Sequence, residues 1–374
     1  MSNPKQLSHR DRFARVFARE PVDRIPVYFF GAWPETKRRW VSEGFAGEVD
    51  LTADRGPQLP GMDPDWEAGL WSNHGLARTG AMGEMEPKVL EERENARVVR
   101  TALGKVELIR TDGGSISHTL SYPLEPTRAS WNQFKRCLDP ADPRREVADI
   151  ERKAAQRNAL DILTGFMGGS LYAWLRDYMG VENLSFLMYD DPVLLEEMVD
   201  TIADHFMRLM EPALKYAKFE FVYFFEDCCG SSGPLFSPAI YRAIFDKYYK
   251  RLIAFYKQRG VPLALIDSDG MVDPLVPCWL ESGFDIIFPV EVGVWNAGPV
   301  SFREKFGKDL RMFGGVNKTL FYGPEAALRA HLESLRPAVE AGGYIPIPDH
   351  RIPPQVSLSQ MQRYIQLFHE VFIS

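Results

Sequence analysis

The chain has 374 residues, 45% of them hydrophobic and 25% charged, with 44 basic against 51 acidic side chains and a formal charge of −7. That much apolar material suits a large folded core and excludes a disordered chain, while the lack of any basic block or stripe excludes a nucleic-acid partner. No apolar run reaches the ~18 residues of a membrane helix, Met1–Glu20 lacks a leader-like apolar stretch, and Cys137, Cys228, Cys229 and Cys278 contain no CxxC pair; a cytoplasmic protein with reduced thiols and no membrane partner is expected.

In chain order, the first strand-like run is Arg24–Gly31 (RIPVYFFG). Residues 60–110 carry a poor pattern, and one strand is expected inside them. Residues 95–125 alternate, with turn signals at Leu103-Gly104 and Asp112-Gly113-Gly114; this predicts an antiparallel hairpin or small sheet. Asp161–Gly168, Phe221–Asp227, Leu263–Asp269, Asp285–Val290, Leu310–Val316 and Gly343–Asp349 follow as further apolar runs. Near-continuous apolar runs suit parallel strands buried on both faces. Between them, Pro192–Lys215, Pro238–Arg259, Pro274–Ser282 and Pro324–Ala341 read as amphipathic helices, several with proline in the first turn. Alternation of this kind predicts an α/β fold, a TIM-type (β/α)8 barrel. It is expected to be one domain over 1–374, with a small antiparallel β cap inserted at about 60–150.

The active site of such a barrel lies at the carboxyl ends of its strands. Those ends carry Glu226-Asp227, Asp267-Ser268-Asp269, Glu291 and Asp349-His350-Arg351. Carboxylates so dense need a cation, a shared proton or an arginine partner. Asp267 and Asp269 are two apart and face the same way on a strand. With His350, and with Glu226 added, they offer oxygen and imidazole ligands for zinc or another divalent metal, or a set for general acid–base work. Other roles are open: Asp269 as a helix cap, Glu226 and Asp227 as acceptors for loop amides, His350 as a packing histidine. Phe30 and Trp33, with Phe29, would wall an apolar pocket. Tyr172 lies in the glycine-bearing segment Phe166–Trp174, and Asn317 follows Gly314-Gly315. Tyr172, Asp227, Glu291, Asn317 and Arg351 are further candidates for substrate contact. Cys228 and Cys229 read as buried, inert thiols.

Several stretches resemble the uroporphyrinogen decarboxylase-like superfamily in order along nearly the whole chain. They are RDRFARVFAREPVDRIPVYF at the start, DYMGVENLSFLMYDDP (177–192), FEDCCGSSGPLFSPAIYR (225–242), IDSDGMVDPLVPCWLESGFDIIFPVE (266–291), GKDLRMFGGVNKTLF (307–321) and GGYIPIPDHRIPPQVSL (342–358). The resemblance implies a β/α barrel and one of two chemistries: cofactor-free decarboxylation of uroporphyrinogen, or methyl transfer involving corrinoid proteins. The decarboxylases carry an arginine-rich R-Q-A-G-R-Y segment after the first strand, where this chain has Phe29-Phe30-Gly31-Ala32-Trp33-Pro34. The thiol-methylating members hold zinc through H-x-C and a later cysteine; Asp267-Ser268-Asp269 and His350 are similar in position but harder as ligands. The resemblance therefore implies a corrinoid-linked methyltransferase or O-demethylase acting on a small methylated substrate, possible metal assistance at Asp267, Asp269, His350 and Glu226, and a corrinoid carried on a partner protein. The alternatives are a uroporphyrinogen decarboxylase or related carboxy-lyase, with Arg176, Lys318 and Arg351 as anion contacts, and a non-catalytic ligand-binding barrel. A homodimer is compatible with each.

Overall fold

A computed structural model describes residues 6–51, 55–111, 117–293 and 297–373. Strands β1 (Lys88–Arg93), β2 (Ala96–Arg100), β3 (Val106–Arg110) and β4 (His118–Ser121) form an antiparallel sheet in chain order. This is the sheet expected at 95–125, begun one strand earlier; the expected turn at Asp112-Gly113-Gly114 lies outside the described residues. The segment leaving β4 is anchored where Leu124 N–H donates to Tyr178 O at 3.0 Å.

The body is a six-stranded parallel sheet. Its strands are β5 (Gly165–Met167), β6 (Phe221–Phe225), β9 (Leu263–Asp267), β10 (Ile286–Val290), β11 (Arg311–Val316) and β12 (Tyr344–Pro348). A two-residue ladder, β7 (Cys229–Gly230) with β8 (Gly233–Pro234), forms a small hairpin after β6. The sheet order is β12-β11-β10-β9-β6-β5, so strands follow one another around the fold. Helices cross back between them, as parallel pairing requires. Pro192–Tyr216 begins on an Asp191 cap and buries Leu195, Met198, Ile202 and Phe206 on one stripe. Each such side chain contributes roughly 1.5–3 kcal/mol of burial free energy. The segment expected as one helix at Pro238–Arg259 is broken in geometry: Tyr241–Phe245 winds as a π-helix between Pro238–Ile240 and Asp246–Gln258.

Two places in the ring depart from expectation. Arg24–Gly31 forms no strand; among the described residues its one bridge to the sheet region is Ala32–Ile352, beyond β12. Ile352 N–H donates to Gly31 O at 3.0 Å, and Trp33 N–H to Ile352 O at 3.3 Å. On the other side, the barrel strand expected inside 60–110 is absent among the described residues; every strand there belongs to the antiparallel sheet. An irregular segment, 59–76, fills the place instead. Asp63 N–H donates to Val27 O at 3.0 Å, Met167 N–H to Asn73 Oδ1 at 2.9 Å, and His74 Nε2 to Gly165 O at 2.6 Å. Asn73 and His74 adopt left-handed backbone angles (φ 48° and 54°), which no strand permits. Trp66 from this segment plugs the barrel interior. Its ring centroid lies 4.8 Å from Phe313 and 5.1 Å from Phe288.

No described helix is long and apolar enough to cross a membrane.

Candidate active site

Pairing register sets the level of the mouth. Phe225 and Phe288 both stand opposite Asp267 across their ladders. The residues after these three therefore leave the sheet at one height and form a rim.

Asp267 is the floor of that rim. It is 2% exposed and accepts a hydrogen bond from the Tyr223 hydroxyl. Burial, and then the charges of Asp269 and Asp227, push its carboxyl well above the ordinary range. The arrangement favours the neutral acid.

Above it, Asp269 Oδ2 lies 3.1 Å from His350 Nε2. The imidazole stands between two aromatic rings, Phe30 at 5.9 Å and Trp33 at 5.8 Å between centroids. The other oxygen, Asp269 Oδ1, is buried and has no hydrogen-bond partner. Asp269 N–H donates to Asp227 Oδ1 at 3.4 Å, and Gly270 N–H to Glu291 Oε2 at 3.0 Å. Burial, then Asp269, raises the Glu291 carboxyl. Asp227 is raised in the same way and adopts a left-handed φ of 42°. Its side chain is answered by Arg176 at 3.7 Å, and its carbonyl accepts from Arg176 Nη1 at 2.6 Å. Arg351 Nη1 donates to Phe30 O at 3.0 Å, and the guanidinium lies over the Phe30 ring at 4.5 Å.

The structure thus gathers Asp267, Asp269, His350, Asp227, Glu291, Phe30, Trp33 and Arg351 at one mouth. Three expected members are used otherwise. Glu226 is 1% exposed and accepts from the backbone N–H groups of Leu171, Tyr172 and Ala173 at 2.9, 3.0 and 3.1 Å. It fixes the N-terminus of helix Leu171–Met179 to the sheet, where three orphan amides need an acceptor. Burial pushes its carboxyl up to about 7, opposed by those amides and by Tyr249. Asn317 Oδ1 accepts from Thr319 N–H at 2.9 Å and Thr319 Oγ1 at 2.7 Å, so it caps its own turn. Tyr172 is interior, its ring 4.9 Å from Phe236, with a buried hydroxyl that has no partner. Cys228 is likewise buried, its N–H donating to Ser268 Oγ at 3.0 Å.

The metal expectation is corrected on the same grounds. Among the described residues no three His, Cys, Asp or Glu side chains converge as a ligand group. Glu226 is held by amides and Asp267 by Tyr223, which leaves only Asp269 and His350 as a free pair. Structural or catalytic zinc takes at least three protein ligands. The residues present do not fit the four-ligand site.

Two residues that support the mouth carried little sequence signal. Tyr223 lies in the middle of an apolar run. Glu67 is 1% exposed and lies in the irregular segment. It faces Arg351 Nη1 at 3.5 Å and accepts from Trp71 Nε1 at 3.4 Å. An acidic residue one step after a core tryptophan was the available clue. Asp349, already named among the strand-end residues, accepts from Val292, Gly293 and Lys318 N–H at 3.1, 3.3 and 3.0 Å, stitching together the loops after β10 and β11.

Residues 119–371 match the family model described as uroporphyrinogen decarboxylase (URO-D). A uroporphyrinogen decarboxylase from Pseudomonas aeruginosa is 24% identical over 385 aligned positions, covering 96% of this chain and 97% of that protein. Another, from Ectopseudomonas mendocina, is 25% identical over 390 positions with the same coverage. Among solved structures, a methyltransferase from Methanosarcina mazei superposes with a TM-score of 0.57, covering 98% of this chain and 99% of its own at 14% identity. At that identity the likeness concerns the fold.

Proposed function

The chain belongs to the uroporphyrinogen decarboxylase family, and from that premise we propose that it is a methyl-transferring enzyme: it takes a methyl group from a small methylated compound and passes it to a corrinoid carried by a separate protein. The observation that carries this reading is the charge at the mouth. Asp227, Asp269 and Glu291 gather there above a neutral Asp267, and two nearby guanidinium groups are already engaged: Arg176 by Asp227 and Asp177, Arg351 by Glu67 and Phe30 O. A porphyrinogen bearing several carboxylates would meet like charge. The whole-length likeness to a methyltransferase fold adds support.

In this reading Phe30 and Trp33 form the wall against which the substrate rests. His350 touches the reacting heteroatom and moves the proton that its departure requires. Asp269 is a positioning residue that fixes the imidazole through Nε2, as carboxylates orient histidines elsewhere. Asp267, neutral and dry beneath them, limits repulsion in the floor. A reduced corrinoid on the partner supplies the nucleophilic methyl acceptor. No resident metal is invoked.

The test is to incubate the protein with reduced cobalamin and a panel of methyl ethers and methylamines, and to follow the cobalamin spectrum. Methyl transfer from at least one donor is expected; none from the whole panel rejects the reading.

A second reading is supported by the curated relatives that span 96% of the chain. It is decarboxylation of an acidic substrate, with Arg176, Lys318 and Arg351 as contacts. Coproporphyrinogen formed from uroporphyrinogen would establish it in place of the first.

A further inference from the structure

We infer that the antiparallel sheet is hinged to the barrel at His205, whose single ring proton serves two carbonyl groups, so that it grips one leg of the sheet at a time. The inference concerns a moving part and does not depend on the reaction proposed above.

The sheet hangs on two chain segments. Residues 77–82 lead into it and 122–139 lead out, and the two meet where Met82 N–H donates to Cys137 O at 2.8 Å. The sheet itself adds little grip: of the residues in β1–β4 only Val98 is buried. Where the legs run side by side, successive carbonyls point to opposite sides. Arg145, 5% exposed, donates to Arg78 O and Cys137 O at 2.7 Å and to Gly80 O and Asp139 O at 2.8 Å. The carbonyls in between go the other way. Thr79 O lies 2.7 Å from His205 Nε2, and Leu138 O lies 2.6 Å from Nδ1.

Arg145 has a proton for every acceptor; His205 does not. It is 1% exposed, on helix Pro192–Tyr216, beside the rings of Trp174 and Phe206. Burial pushes its imidazole down to about 4, and Arg145 adds to that, against the two carbonyls and Asp139. Arg145 and Asp139 are the charged groups that act on it. The neutral ring has one N–H and one lone pair. One carbonyl therefore accepts the proton while the other meets the lone pair, a bond left unmade at a cost. Moving the proton between Nε2 and Nδ1 exchanges the two.

The two states differ in what they hold. Thr79 Oγ1 accepts from Asn73 Nδ2 at 2.9 Å, and Asn73 Oδ1 accepts from Met167 N–H in β5. With the proton on Nε2, the incoming leg, the irregular segment 59–76 and the barrel are fastened together. With it on Nδ1, the outgoing leg is held and the incoming one can turn at Gly80. A cleft of about 430 Å³ between the sheet and helix Arg128–Phe134, lined by Met85, Leu103, Phe134, Arg136 and Cys137, gives the sheet room to tilt.

Two measurements on the full-length protein test this. Nitrogen-15 spectra of the histidine rings at neutral pH should show both His205 nitrogens at intermediate shifts, one proton exchanging between two sites. Two fully protonated nitrogens, or one fixed tautomer, overturns the inference. Hydrogen exchange gives the second measurement. A side-chain amide nitrogen takes the Nε2 place in His205→Gln and the Nδ1 place in His205→Asn. The first variant should slow exchange in 77–82 and speed it in 135–142. The second should do the reverse and also speed exchange in 59–76. Changes of about ten-fold in rate are expected, the scale of one hydrogen bond. Faster exchange of both legs in both variants would mean that the parent grips both at once, and overturns the inference; so does no change in either.

Discussion

His350 Nε2 and Asp269 Oδ2 stand 3.1 Å apart at the barrel mouth although 81 residues separate them in the chain. The contact follows from strand order. Asp269 follows β9 by two residues and His350 follows β12 by two, so both step off the sheet at the level of the rim.

This pair is the first to test. His350→Ala should lower kcat by about 10²- to 10⁴-fold, the usual contribution of a positioned acid–base group. Asp269→Asn should lower it less and shift the pH–rate profile, because it acts through the imidazole. Steady-state kinetics with the donor identified in the cobalamin assay provides both values. An unchanged kcat in His350→Ala removes the residue from the chemistry.

Glu226 should matter to stability instead. Glu226→Ala leaves three buried amides without an acceptor, and urea unfolding should show a loss of about 2–4 kcal/mol. The pH dependence has a definite sign. The folded carboxyl is raised from 4.5 to about 7, so the native state binds more protons than the unfolded one between those values. Its contribution to stability is present at low pH and is lost as pH rises from 4.5 through about 7. Glu226→Gln should flatten that part of the difference curve. A variant whose stability falls as steeply as the parent's would contradict the assignment.

Trp66→Ala should cost about 3–5 kcal/mol, the range for truncating a large buried aromatic side chain. The effect should appear in the urea midpoint, with near-native helix content by circular dichroism at zero denaturant.

Dialysis against a chelator should leave both the thermal midpoint and methyl transfer unchanged. A protein that needed a site metal for its fold would lose stability on chelation. Loss of activity that returns with zinc would place a metal at Asp269 and His350.

Much of the fold was legible because parallel strands announce themselves by composition. Phe221–Phe225 and Ile286–Val290 are buried along nearly their whole length and have no polar alternation to misread. The antiparallel sheet was legible through its alternation and the Leu103-Gly104 turn. Residues 59–76 were not, since their place in the ring depends on single side-chain bonds such as Asn73 to Met167 and on a tryptophan plug. Neither has a period.

At the site, position along a strand separated the rim from the interior only in part. Asp227 and Asp269 lie side by side, as their strand ends implied. Glu226 does not join them, because adjacent residues at a strand end point to opposite sides. One faces the cavity; the other meets the helix N-terminus that follows β5. Which is which depends on pleat phase, and a run of five apolar residues does not reveal phase. Glu67 was missed because its whole segment looked like loop.

The wedge at 59–76 has one further implication. A ladder strand cannot change length without moving its neighbours out of register, whereas a stretch tied down at a few points can gain or lose residues between them. Glu67 and Trp71 ride on that stretch and meet Arg351 and Tyr223 from it. Descendants of this barrel could therefore retailor one side of the pocket by insertion or deletion there, while the six hydrogen-bonded strands and the residues they present stay where they are.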